Sequence, residues 1–170
     1  MTDPETVVVG DGRRLAYEEC GRADGHPVVC CHGNPGSRLV WSLFDETAQH
    51  HDVRLIAPDR PGFGQSEFQP DRSLLDWADD VRALAKLLEL DSVAMVGFSA
   101  GGPHAAACVH ELDRVEQAAL VSSAGPPPTH PYRTRSNRRL TSATRSVPGL
   151  SRGLFGVTGW PATGRVASAR

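Results

Sequence analysis

The sequence predicts an α/β domain, built on a mostly parallel sheet with helices on both faces, and three observations carry that expectation. Short continuous apolar runs recur at residues 27–31, 53–58 and 92–96, the pattern of strands buried on both sides. A helical periodicity separates the last two runs. Each run then hands over to a Gly-containing loop, so the expected order is β-β-β-α-β-α-β-α-β, which needs crossover helices between parallel neighbours.

Taken in order, residues 6–9 and 13–20 read as two strands joined at Gly10, Asp11 and Gly12, where glycine supplies the positive φ of a tight hairpin. Residues 27–31 form the first central strand and 53–58 the second, with a helix expected over 37–51 between them. Leu74, Trp77, Ala78, Val81, Leu84, Ala85 and Leu88 recur at three- and four-residue steps, and Ser73 and Asp76 are spaced as a capping box, so an amphipathic helix is expected there. Residues 92–96 form the third central strand, 101–112 a helix and 116–122 a last strand.

Composition bounds the class. The chain has 170 residues, 39% hydrophobic and 22% charged, with 17 Gly and 13 Pro, so as a whole it is expected to be largely globular and not a disordered chain, a collagen-like repeat or a coiled-coil rod. No run approaches the roughly 18 apolar residues of a membrane span, and the first five residues are polar and acidic, so neither an anchor nor a secretory leader is read and a cytoplasmic location is expected. Cys20, Cys30, Cys31 and Cys108 make no C-x-x-C pair. Adjacent strand residues face opposite ways, so Cys30 and Cys31 are expected as buried free thiols on opposite faces.

Charge divides the chain. Ten basic and all twenty acidic residues lie within 1–116, a net of −10, whereas 117–170 holds eight arginines and no acid, a net of +8. The second segment is also rich in Pro, Gly, Ser and Thr. Its Arg133, Arg135, Arg138 and Arg139 lack the interleaved aromatics of a single-strand binder, so nucleic-acid binding is not expected. The expected organisation is a core over 1–125 and a poorly ordered basic tail over 126–170.

In such a sheet the chemistry sits at the carboxyl ends of the strands. Three loops stand there: His32-Gly33-Asn34-Pro35-Gly36, then Asp59-Arg60-Pro61-Gly62-Phe63-Gly64-Gln65-Ser66, then Gly97-Phe98-Ser99-Ala100-Gly101-Gly102. Gly97-x-Ser99-x-Gly101 between a strand and a helix is the context of a nucleophile elbow, in which flanking glycines leave room for a strained turn. Ser99 is the candidate nucleophile. The backbone N–H of Ala100, at the start of a helix, is the first candidate oxyanion donor, and that of Asn34, after the permissive Gly33, is the second.

These motifs, in this order, resemble the N-terminal half of the α/β-hydrolase fold superfamily over residues 5 to about 125. The resemblance implies a serine hydrolase acting on a small ester, amide or thioester through an acyl-enzyme on Ser99, with no metal or organic cofactor. It gives His32 a structural role and makes 126–170 the start of a lid. The His32-Gly33-Asn34-Pro35 string is similar to that of haloalkane dehalogenases, but their nucleophile is aspartate where this chain has Ser99, so esterases, lipases, cofactor-free peroxidases and proline iminopeptidases are the better fit.

A serine of this kind needs a base and an orienting acid, which the family places beyond the lid in the order Ser, acid, His. After Ser99 the acids are Glu111, Asp113 and Glu116 and the histidines His104, His110 and His130, and none completes a triad. His104 and His110 ride a helix that climbs away from Ser99, and Asp59 reads as a loop-shaping Asx contact. The acid-free tail therefore implies a C-terminally truncated fragment or a frameshifted end. A non-catalytic relative is the alternative, self-associating through uncovered sheet surface.

Overall fold

The computed structural model describes residues 3–124 and 165–167. Seven strands form one sheet in the order β1-β2-β4-β3-β5-β6-β7: β1 Glu5–Val8, β2 Arg14–Gly21, β3 His26–Cys31, β4 Val53–Pro58, β5 Val93–Phe98, β6 Val115–Val121 and β7 Arg165–Ala167. The first hairpin and β2 with β4 are antiparallel, and every later pairing is parallel, as the apolar runs require. Within the hairpin turn Gly12 takes φ +86°, and Val9 exchanges backbone bonds with Gly12 and Arg13.

Helices cover both faces. On one face α2 (Trp77–Leu87) and α3 (Gly102–Glu111) bury Trp77, Val81, Leu84, Ala105 and Cys108 against Val29, Ile56, Val93 and Met95 of the strands. The α2 stripe is the one its periodicity predicts. Its box also closes, since Ser73 N–H donates to Asp76 Oδ2 at 2.6 Å and Asp76 N–H to Ser73 Oγ at 3.4 Å, although the regular helix begins only at Trp77. The stripe has one polar interruption: Asp80, 2% exposed, pairs with Arg13 of the hairpin at 2.7 Å.

The single helix expected over 37–51 is instead a 3₁₀ segment, Arg38–Phe44, followed by a short α1, Asp45–His50. Two bonds account for the tighter start. Arg38 N–H is taken by Asp59 Oδ1 at 2.6 Å, and the Ser42 hydroxyl donates back to Leu39 O at 2.8 Å, competing with the α-helical ladder. Together these elements bury Trp41 and Ala48 on the second face, with Cys30, Leu55 and Ala57. Cys30 and Cys31 thus enter opposite layers, both fully buried and both free, as does Cys108 on the α3 side. Cys20 is only half-buried.

The expected lid or altered tail lies outside the described residues except at Arg165–Ala167, whose backbone extends the sheet beside Gln117–Ala119. Among the described residues no helix is long and apolar enough to cross a membrane.

Candidate active site

The parallel arrangement brings three loops to one edge. Cys31 is the register partner of Gly97, so the loop after β3 stands directly beside the turn after β5. At that turn Ser99 holds φ +52°, the left-handed region that a non-glycine residue enters only when its surroundings enforce it. The surroundings are backbone. A Cβ on Gly101 would lie 2.0 Å from Cys31 O, and one on Gly97 would lie 2.6 Å from Gly102 Cα, so strand and helix close on each other only because both side chains are missing. Ser99 O then accepts the N–H of Gly102 and, at 2.9 Å, that of Ala124 just beyond β6. Ser99 and Ala100 are left half-buried at the surface of this edge.

Gly33 is buried and faces the elbow: a Cβ there would lie 3.3 Å from Ser99 Cβ and 3.2 Å from Phe98 Cδ1. Asn34, next in the chain, is exposed. His32 lies behind them, fully buried. Its Nε2 accepts Arg60 N–H at 3.0 Å, so its Nδ1 carries the proton and donates to Gly33 O at 2.8 Å. Both nitrogens are occupied. Burial, with help from the nearby Arg60 charge, pushes its pKa down to about 4, which keeps the ring neutral.

His104 is similarly committed. Its Nε2 faces Arg60 NH1 at 3.4 Å and its Nδ1 faces Ala100 O at 3.0 Å, while Trp77 packs edge-on against the ring. Burial first, and the Arg60 charge second, push it down to about 3. The remaining described histidines sit elsewhere. His26 opens β3, His50 and His51 close α1, and His110 pairs with Glu111 at 3.5 Å near the end of α3. Among the described residues the Ser99 hydroxyl makes no side-chain hydrogen bond, and no group of three His, Cys, Asp or Glu side chains is arranged to hold a metal ion. His130 lies outside the described residues.

The middle loop supplies one residue that sequence reasoning missed, Arg60, and gives Asp59 a task beyond its own loop. Asp59 does shape its loop, accepting Gln65 N–H at 3.0 Å, and Ser66 Oγ donates to its carbonyl at 2.7 Å. It also holds Arg38, NH1 to Oδ2 at 2.7 Å, in an ion pair whose two side chains are 7% and 0% exposed. Arg60 is 5% exposed, donates NH2 to Gly33 O at 2.9 Å and lies 4.5 Å above the Phe63 ring. No local signal marks it, because its partners Gly33 and His104 lie 27 and 44 residues away in the chain.

Comparison with known proteins agrees with this architecture. A family model described as the alpha/beta hydrolase fold matches residues 26–143. The chain is 38% identical over 125 residues to a non-heme chloroperoxidase of Streptomyces lividans, covering 71% of this chain and 45% of that protein. It is 32% identical over 123 residues to a bifunctional esterase/perhydrolase of Acinetobacter calcoaceticus, again covering 71% and 45%. Among solved structures, a thermophilic esterase from Thermogutta terrifontis superposes with TM-score 0.65 at 28% identity, over 74% of this chain and 47% of that one. An esterase from Exiguobacterium antarcticum gives TM-score 0.67 at 23% identity, over 81% and 51%, a likeness of fold. The chain spans about half the length of the relatives it matches. With its sheet order, its strand-end loops and these matches taken together, the chain belongs to the alpha/beta hydrolase fold family.

Proposed function

We propose that this chain carries the nucleophile half of a serine hydrolase that acts on a small ester, amide or thioester. The single observation behind the reading is the left-handed Ser99 at a strand-to-helix turn built from glycines, with Gly33 packed against it. In the proposed reaction Ser99 Oγ attacks the carbonyl carbon and the π pair moves onto the oxygen. The N–H groups of Ala100 and Asn34 receive that oxyanion. The hydroxyl proton passes to a base, which returns it to the departing alcohol, amine or thiol as the intermediate collapses to the acyl-enzyme, and water then repeats the sequence.

His32 and His104 do not serve as that base, because all four of their ring nitrogens are engaged. The base and its orienting acid are read as lying outside the described residues. An alkyl fluorophosphonate tests the reading: it labels Ser99 of the wild-type chain and leaves Ser99→Ala unlabelled. Absence of labelling at neutral pH overturns reactivity of this chain.

A second reading, a binding relative that self-associates, is favoured by one feature. Val40, Trp41, Leu43, Phe44, Val96, Phe98 and Val121 line an apolar hollow of about 390 Å³, with Leu43 80% and Phe98 43% exposed among the described residues. Sedimentation distinguishes the two, since a monomer at all concentrations removes the second.

A further inference from the structure

The inference rests on the reading of Ser99 and its two amides given above, and concerns what aims the second of them. A peptide bond is planar, and in its trans form the C=O and the following N–H leave opposite edges of the plane. The direction of an amide donor is therefore set by whatever holds the preceding carbonyl. For Ala100 that carbonyl is Ser99 O, held by the backbone N–H groups of Gly102 and Ala124. For Asn34 it is Gly33 O, and there side chains do the holding: His32 Nδ1 at 2.8 Å and Arg60 NH2 at 2.9 Å.

Arg60 is costly to keep. It is almost fully buried, burial lowers its pKa to about 10, and among the described residues no carboxylate forms an ion pair with it. A buried cation without an acid partner is destabilising unless its donors find other acceptors. Its acceptors are Gly33 O on one arm and His104 Nε2 on the other, and His104 passes the contact on through Nδ1–H to Ala100 O. One guanidinium thus spans from the loop after β3 to the elbow after β5. Donation into Gly33 O also polarises the same peptide at its far edge, which strengthens the Asn34 N–H as a donor.

We propose that Arg60, with His104 fixing its second arm, is a positioning residue that turns and polarises the Gly33–Asn34 peptide so that the Asn34 N–H meets the oxyanion formed at Ser99. Neither side chain touches substrate. Lysine cannot replace it, because one ammonium on a flexible stem does not reproduce a rigid fork with two separated arms.

The full chain tests this with two readouts. In ¹⁵N-labelled protein, Arg60→Lys and Arg60→Met move the Asn34 amide resonance and speed its solvent exchange. Asp80→Asn, which breaks the pair between α2 and Arg13 of the hairpin, leaves that resonance in place whatever it does to melting temperature. In fluorophosphonate labelling, Arg60→Lys lowers the maximal rate on Ser99 by on the order of tenfold or more, with little change in the reagent concentration giving half that rate. His104→Gln keeps an acceptor for the second arm and stays within about threefold of wild type, whereas His104→Leu falls toward Arg60→Lys. An unmoved Asn34 resonance in Arg60→Lys, or a loss of rate matched by Asp80→Asn, overturns the proposal. Should the wild-type chain take no label, the Ser99 reading fails while the Asn34 resonance still decides the role of Arg60.

Discussion

The two loops that meet at Ser99 are held in opposite ways. The elbow after β5 is shaped by what its residues lack: glycines at 97 and 101 let backbone approach backbone, and its carbonyl at Ser99 is tied by main-chain N–H groups. The loop after β3 is shaped by what other segments lend it. His32 and Arg60 grip Gly33 O, and the strand-end Asp59 holds Arg38 next door. A steric device is local and unforgiving, whereas a polar device is long-range and tunable through charge and pH.

The steepest way to break the first loop is Gly101→Ala. The new Cβ would fall 2.0 Å from Cys31 O and 2.7 Å from His32 O, both backbone atoms that cannot swing away. The expected loss is roughly 4 kcal/mol or more, read as loss of a cooperative thermal transition by circular dichroism. On the polar side Asp59→Asn should cost about 3–5 kcal/mol in urea unfolding, because it leaves the buried Arg38 guanidinium with only the partly exposed Glu18 carboxylate, at 3.9 Å, as counter-charge.

Acid sharpens the contrast further. His32 titrates near 6.5 when unfolded but only about 4 when folded, so between those values the unfolded chain binds more protons and stability falls as pH drops. Above pH 6.5 this contribution is present in full, and by pH 4 His32 alone has removed on the order of 3 kcal/mol. His104, held down to about 3, adds to the same slope, and His104→Gln should flatten it in urea midpoints measured from pH 7 to 4. The smallest effect runs the other way. Ser99→Gly relieves the φ of +52° and should raise stability by about 1 kcal/mol in the same assay while abolishing labelling.

The same contrast explains what could be read from the residues alone. The elbow was legible because its device is written in consecutive positions, and the mostly parallel sheet followed from apolar runs such as Val53–Pro58, which the structure reproduces without change. Hairpin, α2 stripe and strand-end loops were legible for the same local reason. Arg38, Arg60 and His104 were not, because their partners lie 21 to 44 residues away and nothing in a single sequence pairs them. The segment 37–51 departs from the expected single helix on this account too, since the bond that tightens its first turn comes from Asp59. An amphipathic pattern reports burial, and burial by itself does not reveal which remote carboxylate captures the first N–H.

The neighbouring thiols Cys30 and Cys31 give the fold a built-in pair of reporters. They are adjacent in the chain yet sealed beneath separate helical layers, and burial drives the Cys31 thiol up to about 12 and the Cys30 thiol well above its ordinary value, so both are inert to alkylation while the layers are shut. Mass spectrometry after a pulse of iodoacetamide would therefore tell which side of the sheet peels first. Modification at 30 marks lifting of the Arg38–His50 layer, and modification at 31 marks lifting of α2 and α3.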